Sequence, residues 1–166
     1  HVAACIAYAL LGFLFFQEVI FQTQWFGEDF FTQHFPNRYF AAVRISSGSF
    51  PLWTPFVYSG MPFFADIQTA VLYPFNLVLS LAVGDGGLSY AVYEYQAVLH
   101  VVLGGYFMFL FLRELGLPFS CALMGGSLFV FNAFFMGHVH HAGMIHSGIW
   151  LPLVFYCCHR GFRCNA

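Results

Sequence analysis

The chain has 166 residues, of which 60% are hydrophobic, 22% aromatic and only 7% charged, and its formal net charge is -2. A soluble domain carries about 25% charged residues, and five arginines, seven acids and no lysine cannot build a water-facing surface. The composition therefore argues against an ordinary soluble domain and gives no pointer to nucleic acid. It predicts an integral membrane protein whose 24 phenylalanines face lipid and whose Trp and Tyr rings anchor the interface.

Residues 2–21, VAACIAYALLGFLFFQEVIF, make an apolar run of bilayer length. No basic flank precedes it and no small-residue cleavage site follows, so it reads as a first transmembrane helix rather than a signal peptide. Residues 22–87 form an interfacial loop region. Its centre, SSGSFPLWTPFVYSGMPFF, is dense in Gly, Pro and Ser and kept greasy by Phe50, Trp53, Phe56 and Tyr58. Within it, Pro36 opens a helix over 36–45, with Arg38 and Ala42 on one face. The segment 68–83 has two readings, a short span or a juxtamembrane helix, because Pro74 interrupts it. GDGG at 84–87 predicts a turn.

Residues 88–112 predict a second transmembrane helix, stopped by Arg113, Glu114 and Gly116, and 117–136 a third, in which Gly125, Gly126 and Ser127 permit close helix approach. Residues 137–148 read as another loop. Residues 149–159, with a start as early as Met144, read as a fourth helix before Arg160 and Arg163. The whole is expected to be one all-α, polytopic transmembrane domain, with about four spans of roughly 20 residues each and interfacial helices besides. The ends, His1 and RGFRCNA, read as those of a piece of a longer chain.

Five scattered cysteines, Cys5, Cys121, Cys157, Cys158 and Cys164, form no CxxC pair. They read as small apolar residues, not as a disulfide framework or zinc site. The arginines conflict with one topology. If 68–83 does not span and the N-terminus is cytoplasmic, Arg38 and Arg44 lie outside and Arg113, Arg160 and Arg163 inside. If it spans and the N-terminus is outside, all five face the cytoplasm, as the positive-inside rule prefers.

The residues able to carry chemistry cluster in GEDFFTQHFPNRYF, 27–40. Asp29 has two readings: a helix N-cap, or a general base at the membrane surface whose neighbours Phe26, Phe30 and Phe31 keep it dry. Glu28 reads as a helper, a metal ligand or a solvated neighbour. His34, Arg38 and Arg44 follow; a guanidinium fork suits phosphate, whether of a substrate or of a lipid headgroup, and pairing with Glu28 or Asp66 is the alternative. His138, His140, His141 and His146 match no standard zinc spacing, so no metal site is assigned. Glu94 and His100 lie within an apolar span, where ionisable groups normally face a cavity or a partner. Glu94 reads as interfacial, and His100 as a neutral, hydrogen-bonded imidazole.

The interfacial loop carries a denser pattern. Asp29 precedes Pro36 by seven positions, and Gly48-Ser49-Phe50-Pro51-Leu52-Trp53-Thr54-Pro55 follows. Gly60-Met61-Pro62, Gln68, Tyr73-Pro74-Phe75-Asn76, Gly137-His138 and Trp150-Leu151-Pro152 come after. Over roughly residues 2–158 this resembles the YfhO-type family of bacterial membrane proteins, with Thr54 where the family usually has Asn. The resemblance implies a GT-C-like helical bundle, and hence a glycosyltransferase. Such an enzyme moves a sugar from a polyprenyl-phosphate carrier to an extracytoplasmic acceptor, a lipid or a cell-wall polymer such as lipoteichoic acid, at the bacterial cell membrane. It makes Asp29 the catalytic base and Glu28, His34, Arg38, Trp53, Gln68, Tyr73 and His138 substrate-binding residues. It places the acidic loop outside and makes 68–83 juxtamembrane. No cofactor is implied beyond compatibility with a divalent cation. A phosphate is already a good leaving group, so one carboxylate and one or two cations suffice for displacement at the anomeric carbon. The rival from another class is a multi-pass transporter or flippase in which Asp29, Glu94 and His100 bind an ion or substrate.

Overall fold

The computed structural model describes residues 1–82 and 87–164, so most of the GDGG turn expected at 84–87 lies outside the described residues. In chain order the elements are α1 (Val2–Phe15), α2 (Gln17–Ile20), a π-helical turn (Phe30–His34), α3 (Phe35–Ser46), β1 (Trp53–Thr54) and β2 (Met61–Pro62). There follow a 3-10 turn (Ile67–Thr69), α4 (Pro74–Ala82), α5 (Tyr90–Glu114), α6 (Phe119–Val130), α7 (Ala133–Gly137), α8 (Ala142–Gly148) and α9 (Leu151–Cys164). The fold class is all-α, with one two-residue ladder that pairs Trp53 with Pro62 and Thr54 with Met61. Among the described residues two stretches are long and apolar enough to cross a membrane, Tyr90–Glu114 and Phe119–Gly137.

Several boundaries differ from those expected. The run 2–21 is not one helix. It bends at Phe16 (φ -104°, ψ 22°), where the polar pair Gln17–Glu18 begins. The 14 residues of α1 rise ~21 Å, short of the ~30 Å hydrocarbon core. The run 117–136 is interrupted at Asn132, whose side chain caps a new helix by accepting from Phe135 N at 2.9 Å and donates to Phe129 O at 2.8 Å. Residues 137–148 are not all loop, since α8 occupies their second half. In 68–83 the helix starts only at Pro74, leaving nine described helical residues, ~14 Å.

The chain divides into two compact units, one of His1–Trp25 with Ala97 onward, the other of Phe26–Gln96. In the first, Ala4, Tyr8 and Gly12 of α1 are buried at four-residue spacing. Tyr8 donates its hydroxyl to Leu123 O at 2.8 Å, and Ala4, Phe109 and Ala122 complete the cluster. Gly105 makes room for the Tyr8 ring, which would lie 2.8 Å from a methyl there, and Gly126 lies against the Tyr8 hydroxyl and Gly105 O. The opposite face of α1, Val2, Ile6, Leu10 and Leu14, is exposed and wholly apolar. A helix apolar on both faces suits a hydrocarbon surround.

In the second unit α3 packs on α4, and a buried cluster of Ala41, Phe63 and Val71 ties α3 to the residues just after β2 and just before α4. Two alanines, Ala41 and Ala42, let α3 approach closely. Asn76 knots the unit together: it donates to Ala70 O and accepts from Gln96 Nε2, both at 2.9 Å, while Ser80 donates to its carbonyl at 2.7 Å. Gly60 turns the β1–β2 connection at φ +113°, a left-handed conformation that glycine adopts without strain, and Trp53 lies directly over it.

Candidate functional site

The site grows from the main chain of Phe26. Its N–H donates to Glu94 Oε1 at 2.7 Å, and its carbonyl accepts from the Tyr90 hydroxyl. Glu94 is fully buried within the protein, where it is an acceptor that holds the entry to the GEDFF segment. Stacked rings reinforce the clamp. Phe26 meets Phe30 edge-on at 5.2 Å, Phe30 stacks on Tyr93 at 4.6 Å, and Phe35 meets Tyr90 at 4.9 Å.

The backbone between the clamp and α3 is unusual. Glu28 has φ +52°, left-handed in a residue that has a Cβ. Asp29 follows with helical angles (φ -61°, ψ -26°), and the next five residues wind as a π-helical turn. Asp29 makes no side-chain capping hydrogen bond to the turn it precedes, so the N-cap reading loses its basis. Left-handed non-glycine residues and π-turns cost energy and collect at functional positions.

From this turn the chain runs without a break into α3, with Pro36 in its first turn. His34 and Arg38, one turn apart, are both buried, at 7% and 4% exposure. Arg38 Nη2 reaches Gln68 O at a long 3.4 Å, and the Tyr93 hydroxyl faces the guanidinium. Its Nε and Nη1 are buried with no hydrogen-bond partner among the described residues. Asp66, one of the two acids expected as a partner for the arginines, instead caps the 3-10 turn, accepting from Gln68 N at 2.9 Å. Gln68 is also bonded through its side chain to Gln33. A buried guanidinium costs several kcal/mol of desolvation unless it is paired, so an anionic neighbour would offset the burial of Arg38.

Of the residues expected at the site, Asp29, His34 and Arg38 fall on this one stretch of the second unit, with Glu28 exposed at its edge, and Gln68 joins them from the 3-10 turn through its carbonyl on Arg38. Trp53 belongs to the β1–β2 connection over Gly60, and Tyr73 stacks on Phe75 at 5.8 Å. His138 belongs to the first unit, where its Nδ1 contacts Phe134 O at 2.8 Å and its ring lies 5.5 Å from His141. His140 and His141 rings lie 4.2 Å apart. No group of three or more His, Cys, Asp or Glu able to hold a metal occurs among the described residues. His100 and His146, both buried, face each other at 4.1 Å. Tyr93, Gln33 and Asn76 took no part as site residues in the sequence reading. Tyr93 is one of nine tyrosines and carries no local signal; Asn76 was visible only as a member of the Tyr-Pro-x-Asn motif.

Comparison with family models, with curated proteins and with solved structures finds no match to this chain. What the fold and site define is a class: an all-helical chain with two stretches long and apolar enough to cross a membrane and a buried arginine near aromatic rings.

Proposed function

We propose that the chain is part of a multi-pass bacterial membrane glycosyltransferase of the GT-C-like, YfhO-type kind, using a polyprenyl-phosphate-linked sugar outside the cytoplasm. The observation that carries this reading is Arg38, buried with Nε and Nη1 lacking hydrogen-bond partners among the described residues, on the helical run that Asp29 begins. A phosphate answers the buried guanidinium, and the Asp29 carboxylate answers the need for a base.

In the reaction, the Asp29 carboxylate takes the proton of an acceptor hydroxyl as its oxygen bonds to the anomeric carbon. The bond from that carbon to the phosphate oxygen breaks, and its electron pair stays on the phosphate. Arg38 balances the charge that develops there, and His34 and Gln68 orient the group. The acceptor is a lipid or cell-wall polymer.

The test is transfer from a radiolabelled polyprenyl-phosphate hexose in proteoliposomes. Asp29→Asn lowers the rate by about 100-fold or more with unchanged thermal unfolding. Unaltered transfer in Asp29→Asn sinks the proposal. The second reading, a transporter, draws on the buried His100–His146 pair within an apolar environment. It predicts substrate uptake abolished by His100→Ala and no sugar transfer at all.

A further inference from the structure

α3 has two unlike faces. One carries Arg38, Ala41 and Ala42 into the second unit's interior. The other, with Phe31 before it and the β1–β2 segment beyond, walls a groove of about 1210 Å³ lined by Phe35, Tyr39, Val43, Trp53, Phe56 and Arg44 among others. Tyr39, Val43, Trp53 and Phe56 stay exposed although each is large and apolar. Arg44, in the last turn of α3, brings a positive charge to this lining. No other charged residue occurs between it and Asp66.

We infer that this groove holds one acyl chain of an anionic phospholipid, with the lipid phosphate on Arg44. The lining points to the tail: aromatic and aliphatic walls with one cation give an acyl chain apolar contact along the groove and give a sugar or a polar peptide few hydrogen-bond partners. The charge identifies the head, since a guanidinium favours a net-anionic phosphate over one neutralised by choline. The length agrees. Phe35 to Arg44 rises ~13 Å along the helix, close to the ~15 Å of half a hydrocarbon core that one acyl chain fills. This site lies on the opposite side of α3 from Arg38 and does not depend on glycosyl transfer. It makes α3 a lipid-anchored element whose inner face carries the anion pocket.

Trp53 in the groove wall is the reporter. In the whole chain, Trp25→Phe and Trp150→Phe leave it as the sole tryptophan. The protein is reconstituted in phosphatidylcholine vesicles doped with either brominated phosphatidylglycerol or brominated phosphatidylcholine. Brominated phosphatidylglycerol is expected to quench Trp53 with about fivefold higher apparent affinity. Arg44→Gln removes that preference, and Val43→Phe, which narrows the groove, weakens both lipids. Equal quenching by the two headgroups means ordinary bilayer contact and overturns the inference. So does a preference that survives Arg44→Gln, indifference to Val43→Phe, or no quenching at all. Circular dichroism of each variant excludes misfolding as the cause.

Discussion

Gly60 shows how a single residue fixes local structure here. At φ +113° a side chain is strained, and a Cβ would meet the Trp53 ring at 2.8 Å. Gly60→Ala is therefore expected to destabilise the protein by ~1–3 kcal/mol, read as a lowered unfolding temperature in detergent. Glu94 is the second case. Glu94→Leu leaves the buried Phe26 N–H without its acceptor, at a cost of ~1–3 kcal/mol. Glu94→Gln keeps a carbonyl acceptor and should be milder; an equal loss in both would show that the charge, not the hydrogen bond, matters. Residue types announced these positions only in part. An acid inside an apolar run is visible in the sequence, but its partner 68 positions away is not. The same holds for Asp29: its carboxylate and greasy neighbours are plain, whereas the left-handed Glu28 before it and the π-turn after it are not.

Helices are legible where apolar runs are long and unbroken. Tyr90–Glu114 follows from its run, with its end moved only past Arg113 to Glu114. Helix interruptions are harder to read, because Asn132 as cap and Asn132 as helix interior look alike until Phe135 N is aimed at it. Small residues at 125–127 announced close packing without naming the partner, which is Leu112 at Gly125 and Tyr8 with Gly105 at Gly126. Gly126→Leu is expected to unseat Tyr8 and cost ~1–3 kcal/mol or more through overpacking, measured by thermal unfolding of the whole chain. Tyr8→Phe, which removes only the hydroxyl bonded to Leu123 O, should cost ~0.5–1.5 kcal/mol. If the glycine change were no worse than Tyr8→Phe, the packing account of this contact would fail.

For the whole molecule the open quantity is sidedness. A glycosyltransferase using polyprenyl-phosphate sugars needs the Asp29 loop outside, while the five arginines taken alone prefer a cytoplasmic loop. Ser47 is exposed just past α3. In a cysteine-free background, Ser47→Cys in intact cells is expected to react with an impermeant thiol reagent. Protection until lysis would place the loop in the cytoplasm and remove the basis of the proposed mechanism. Composition by itself determined that this chain is helical and suited to lipid, because so few charges cannot solvate a surface in water. The order of residues in 27–40 also singled out Asp29, His34 and Arg38 as candidates for chemistry. Only the tertiary structure decided that Arg38 is buried, that Asp66 serves a turn, and that Glu94 anchors Phe26. Those outcomes depend on which distant groups meet, and hydrogen-bond partners far apart in the chain leave no trace in local residue spacing.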